Sequence, residues 1–356
     1  MRSRRLVLTL AATLGFGLLF VPGCKVGYLL SSGYYQAELL ALREPVDDLR
    51  GSGRLTDEQL AKLDVIYDAK TWGKDHGLKA TDNYETVSLE WERQIWNVSA
   101  CQPTAFEGKR WWFPVVGSFP YLGFFREEDA RELEQELQTE GYDVYVRTAG
   151  AYSTLGWFKD PVLPGMLKWS DFALAETVFH ELAHATLWVP GSVKFNESFA
   201  SFVGEVAVMR YWQQRYGAHD PELLNQVQRE ADLKIWRQLL HTLYEDLDAV
   251  YTDEDLTEEA RLEEKRRLYE EELPSRVAGT AWYQPARFDK AVKTGTWNNA
   301  RMMQFKTYNT NADLFAAVFV EEGDDLLAFI DAIERITDES GEPFDLLKEH
   351  VASKNL

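Results

Sequence analysis

The chain has 356 residues, 45% of them hydrophobic and 13% aromatic, which supplies a large packed core and excludes a disordered protein. Lys and Arg number 38 against 58 Asp and Glu, for a net charge of −20. Such acidity repels phosphate backbones, so no nucleic-acid partner is expected.

Arg2, Arg4 and Arg5 precede an uncharged apolar run from Leu6 to Phe20, followed by Val21-Pro22-Gly23-Cys24. This is the pattern of a bacterial lipoprotein signal, in which the cysteine is acylated and becomes the new N-terminus. An uncleaved membrane anchor is the alternative reading. Residues 1–23 are therefore set apart as a leader and Cys24 is assigned as the lipidation site. The expected location is the periplasm, with a lipid anchor to the membrane. Lys25 stands where an aspartate would favour inner-membrane retention, which favours the outer membrane. With Cys24 acylated, Cys101 has no disulfide partner and reads as a small buried side chain.

Residues 24–356 read as one domain, a mixed α/β part to residue 165 and a helical part from 166. Helices are expected over Gly27–Arg43 and Pro45–Asp75, the latter with a start signal at Thr56-Asp57-Glu58-Gln59. Trp111–Gly117 and Phe119–Phe125 read as extended aromatic segments. Arg126–Glu140 reads as an amphipathic helix, Tyr142–Arg147 as an alternating strand and Ala151–Trp157 as extended. Residues 205–275 have a helical pattern throughout, with a charged stretch at Glu245–Glu272 expected to form a solvated helical hairpin. Two or three helices close the chain from Asn298. The fold class is α+β, a small mixed sheet packed on a mostly helical body.

The chemistry sits in His180-Glu181-Leu182-Ala183-His184. Residues four apart share one face of a helix, so both imidazoles reach a single ion. The glutamate beside the first histidine is placed to take a proton from water activated by that ion. Ser170 and Asp171 offer an N-cap and a first-turn charge, and Trp188-Val189-Pro190-Gly191 ends the helix. A catalytic zinc site needs a third protein ligand and an open position. Glu197, thirteen residues beyond His184, is the candidate, on a second helix returning beside the first. Ala200, Ser201 and Gly204 on its face let the two helices approach closely. Glu205 is the rival ligand, about 80° around that helix. The bland alternative is a surface helix with a salt-bridging glutamate.

Several segments carry a family resemblance: Trp112–Gly117, Tyr121–Phe125, Gly141–Val146, Ala151–Leu163, Phe179–His184, Phe195–Ala200 and Asn298–Ala300. In order, and over most of the chain to about Ile330, the sequence resembles the putative aminopeptidase family of Gram-negative bacteria. The resemblance implies a zinc-dependent peptidase of the gluzincin type acting on peptides. His180, His184 and Glu197 would then bind Zn2+, with Glu181 as general base. The spacer before Glu197 is shorter than in the best-known gluzincins. Gluzincins present an edge strand along which substrate backbone adds as a further strand; Gly150–Ser153, with Ala151 and Tyr152, is the candidate. Tyr308 is the candidate donor to the developing oxyanion, with a core tyrosine as the alternative, and Asn299 the candidate contact for a substrate amine or for a residue that supports the metal ligands. Glu176 and Glu205 flank the motif as salt-bridging residues or as carboxylates for a free ammonium. A zinc endopeptidase acting on envelope proteins and a non-catalytic metal-binding lipoprotein are the competing readings.

Overall fold

The computed structural model describes residues 23–79, 81–113, 117–149, 159–308 and 312–354. Helix α1 (Gly23–Ala41) leads into a two-residue strand β1 (Glu44–Pro45), a short helix α2 (Val46–Arg50) and helix α3 (Asp57–Asp75). Thr56 closes the start of α3 with a capping box, as its residues anticipate: its side chain accepts from the Gln59 N–H while the Gln59 side chain accepts from the Thr56 N–H.

Six strands and one helix follow: β2 (Thr86–Val87), β3 (Ile95–Cys101), β4 (Trp111–Phe113), β5 (Gly117–Phe119), β6 (Leu122–Phe124), α4 (Glu127–Thr139) and β7 (Asp143–Ala149). The main sheet has the order β6-β3-β7, with Val98 opposite both Leu122 and Val146. Its covered face buries Val98, Ala100, Leu122 and Val144 against Ala130 and Leu137 of α4.

Among the described residues the sheet expected to be mixed is antiparallel. All ladders between described strands are antiparallel, and the only parallel pairing among described residues is the isolated bridge Val87–Val162. The difference comes from Ile95–Cys101, assigned to no element in the sequence reading. It inserts between β6 and β7, which run in the same direction with α4 crossing over between them, and makes both pairings antiparallel.

The rest is helical: α5 (Asp171–Thr186), α6 (Val193–Tyr216), α7 (Pro221–Thr252), α8 (Glu258–Arg267), a π-helical turn (Leu268–Glu272), α9 (Leu273–Ala278), α10 (Pro285–Lys293), α11 (Asn299–Tyr308), α12 (Ala312–Glu321), α13 (Leu326–Thr337) and α14 (Pro343–Lys354). The largest core surrounds α3, α5 and α6 and reaches α12–α14, where Phe195, Phe199, Phe315 and Phe329 are fully buried. A second core joins α7 to the π-helical turn and α9–α11. The charged stretch 245–272 does turn back on itself, yet its inner seam is apolar: Leu247, Tyr251, Leu268 and Tyr269 are buried together with Trp236 and Phe288. Residues Gly150–Phe158, including the extended segment expected at Ala151–Trp157, lie outside the described residues.

Candidate metal centre

Helix α5 begins where its sequence says it should. The Ser170 hydroxyl accepts from the Ala173 N–H at 3.2 Å, and Lys62 of α3 pairs with Asp171 at 2.5 Å. Phe172, Leu174, Ala175, Val178, Phe179 and Leu182 are buried, so the helix is fixed in rotation and with it the direction of the histidine face. Gly73 of α3 allows that packing: a Cβ there would stand 3.0 Å from Leu182 Cδ1.

The return from α5 to α6 is pinned by one side chain. Asn196 accepts from the Val189 N–H and donates to the Val189 carbonyl, both at 2.8 Å. That pair of hydrogen bonds closes the loop and sets the register of Glu197 one residue later. Gly204 fulfils the small-residue expectation, because a Cβ at this position would meet Glu176 O at 3.2 Å and His180 Cβ at 3.3 Å.

The result is a convergence of three side chains. His180 Nε2 lies 3.6 Å and His184 Nε2 3.8 Å from the same Glu197 Oε2, and ligand atoms of all three residues fall within 4.8 Å of one another. These separations are too long for hydrogen bonds. They are close to the spacing of about 3.4 Å that two ligands 2.0–2.1 Å from one tetrahedral ion would have. His184 and Glu197 are each only 9% exposed, and the two imidazole rings stand at 89° with centroids 4.7 Å apart. Buried imidazole and carboxylate donors held around a common point form a donor set that suits zinc.

Electrostatics bind the three together. Burial alone would push the Glu197 carboxyl up, but the facing His180 and His184 outweigh it and hold it at about 2. Burial alone would push His180 down, but Glu197, Glu181 and Glu176 reverse that and raise it. The facing imidazoles thus favour the ionised form of Glu197, the form that can ligate a cation.

Glu205, the rival ligand, stands apart from this triad. It lines a cavity of about 430 Å3 between the α5–α6 pair and α7, into which His180 and Glu181 also open. Glu176, Arg229, Glu230 and Arg237 complete its charged wall. Arg237 pairs with Glu230 at 2.5 Å. Burial and then the neighbouring Glu230 charge push Glu205 up to about 8.

Asn299 requires a correction. It is fully buried and its amide is engaged by the protein itself. Its Oδ1 accepts from the Tyr251 and Tyr269 hydroxyls at 2.8 and 3.0 Å, and its Nδ2 donates to the Gln102 and Pro103 carbonyls. With all its amide hydrogen-bonding groups in use, it has none to offer a substrate amine. Tyr308 ends α11, and its side chain lies outside the described ones, as do that of Cys24 and the whole of Ala151 and Tyr152.

Tyr84 is a feature the sequence reading passes over. It is buried, with φ of +66°, a conformation rare for a bulky residue. Its N–H donates to the Asp160 carbonyl at 2.7 Å, and the preceding Asn83 is held by Asp160 and Lys70. Burial, then the charges of Glu181 and Asp160, hold its phenol protonated. No local sequence signal marks it, because positive φ at a tyrosine is imposed by tertiary contacts.

Comparison with known proteins adds the family. The model of the family described as Putative aminopeptidase matches residues 27–343, and the chain belongs to that family. The description points to a peptidase, with peptides as substrates. No curated protein and no solved structure matches the chain.

Proposed function

We propose that this protein is a zinc-dependent aminopeptidase of gluzincin type, held at the cell envelope by a lipid on Cys24. The observation that carries the reading is the convergence of His180, His184 and Glu197, with His180 and the adjacent Glu181 lining a cavity that can admit a peptide end. His180, His184 and Glu197 would hold the ion, which when bound acidifies water and polarises a carbonyl. Glu181 then takes the proton from the attacking water and passes it to the departing amine. Tyr308 is proposed to donate to the developing oxyanion, and the Gly150–Ser153 segment, with Ala151 and Tyr152, to pair with substrate backbone.

Removal of single N-terminal residues requires recognition of an ammonium. The cavity beside His180 is lined by Glu176, Glu205 and Glu230 together with Arg229 and Arg237, and Glu230 is ion-paired to Arg237. A substrate ammonium entering there would favour the ionised form of Glu176 and Glu205, both held up by burial, and would pair with them in a partly desolvated wall, where charge pairing is stronger than in water. This favours an exopeptidase over an endopeptidase, whose substrates carry no charge at that position.

The test compares alanine p-nitroanilide with its N-acetyl derivative, using wild type and Glu181→Gln. The reading expects hydrolysis of the free amine alone and loss of hydrolysis in the variant with zinc retained. Equal rates on both substrates would replace it with an endopeptidase, and zinc bound without hydrolysis of either would favour a non-catalytic site. The proposed location is the periplasmic face of the outer membrane, consistent with Lys25 after the acylated cysteine.

A further inference from the structure

Helix α1 has two unlike faces. Inward, the Tyr28 ring packs on Phe113 and Phe124 with centroids 5.8 and 5.2 Å away, Tyr35 packs on Phe125, and Leu39 is fully buried. Outward, Gly27, Leu30, Tyr34, Ala37 and Ala41 follow one another at helical spacing and are all exposed, with Leu29 and Gly33 beside them. Leu30 is 65% and Tyr34 64% exposed. None of these seven residues is charged, in a chain where 27% of residues are charged. An ordinary solvated helix face carries charges, as α8 does with Glu258, Glu259, Arg266 and Arg267.

The sequence on either side of Cys24 says what covers this stripe. Residues 6–20 before it are apolar and uncharged, and Cys24 lies one helical turn before Gly27. A chain of net charge −20 can approach an anionic membrane only through a patch that lacks acids, and α1 has no acidic residue before Glu38. Tyrosine with a wet hydroxyl and an apolar ring suits the boundary between headgroups and acyl chains. A small patch suffices there, because an acyl anchor one turn away makes the contact effectively intramolecular.

We infer that the outer face of α1, centred on Leu30 and Tyr34, lies against the lipid bilayer and fixes the orientation of the enzyme, with strands β4 and β6, which carry Phe113 and Phe124, nearest the membrane. The inference rests on the lipid-anchor reading of Cys24.

The test uses full-length acylated protein reconstituted into phosphatidylethanolamine–phosphatidylglycerol vesicles. An environment-sensitive fluorophore is placed at Tyr34→Cys or, as control, at Tyr67→Cys on α3, where the native side chain is 68% exposed. Cys101 is buried and its thiol is pushed up to about 12, mainly by burial, so it does not compete for label. Position 34 should shift to the blue and be quenched roughly twofold or more by brominated lipid, as for a group at the acyl boundary. Position 67 should report water, and Leu30→Glu should abolish the shift at 34. A label at 34 that reports water on vesicles overturns the inference. So does one shielded equally without vesicles by a second copy of the chain. Mass spectrometry of the N-terminal peptide reads the acyl group separately, so failure of the anchor is distinguished from failure of the helix face.

Discussion

The helix pair around His180 and the junction around Asn299 are both buried polar clusters, and both stand out in the sequence. They differ in how their polar atoms are satisfied. At Asn299 each side-chain donor and acceptor is used, and its N–H donates to Asp143, which also pairs with Lys265 at 2.6 Å. At His180, His184 and Glu197 the polar atoms face one another at 3.6–3.8 Å without a hydrogen bond, and His184 Nδ1 has no partner. A satisfied network welds the sheet to the second helical core. An incompletely satisfied one is retained only where something else completes it.

That contrast can be broken by mutation. The largest effect is expected for Glu181→Gln, which removes the general base and should lower kcat/KM by about 10²–10⁴-fold, with zinc content and melting temperature near wild type. Asn299→Ala should behave in the opposite way. It strands two tyrosine hydroxyls and two carbonyls in the interior and should cost about 2–4 kcal/mol in urea unfolding, while the folded fraction keeps its kcat. If Asn299→Ala instead lowered kcat with stability intact, the division between the two clusters would be wrong.

Gly204→Ala sharpens the comparison within the helix pair. The added methyl meets backbone and the His180 Cβ, so α5 and α6 must separate at a cost of about 1–3 kcal/mol. Zinc affinity should fall with stability, because the shift moves His180 relative to Glu197. The smallest effect concerns Glu205. Its carboxyl is raised from 4.5 to about 8, so the folded protein binds the proton more tightly than the unfolded chain. Its contribution is therefore most favourable below about 4.5 and is lost as pH rises to about 8. Thermal melts of Glu205→Gln should gain on wild type across that window and match it at the acid end.

Much of the site was legible because it is local. The four-residue spacing of His180 and His184, the Ser170 cap and the small residues facing α5 are all written in short stretches of one helix pair. Thr56 announced its helix for the same reason. The strand Ile95–Cys101 was not legible, since Ser99, Ala100 and Cys101 are buried in succession and blur the alternation that marks a half-exposed strand. The role of Asn299 was hidden too, because its partners at 102, 103, 251 and 269 come from three distant segments. Tyr84 belongs with it: its strained backbone is held by Asp160, more than seventy residues away.

The central claim is that His180, His184 and Glu197 hold one divalent ion. Zinc content with X-ray absorption at the zinc edge, on wild type and Glu197→Ala, tests it most directly. About one zinc per chain in wild type, with nitrogen and oxygen neighbours at about 2.0–2.1 Å, and loss of most of that zinc in the variant are the expected result. Zinc absent from wild type, or retained unchanged in Glu197→Ala with the same neighbours, would contradict it.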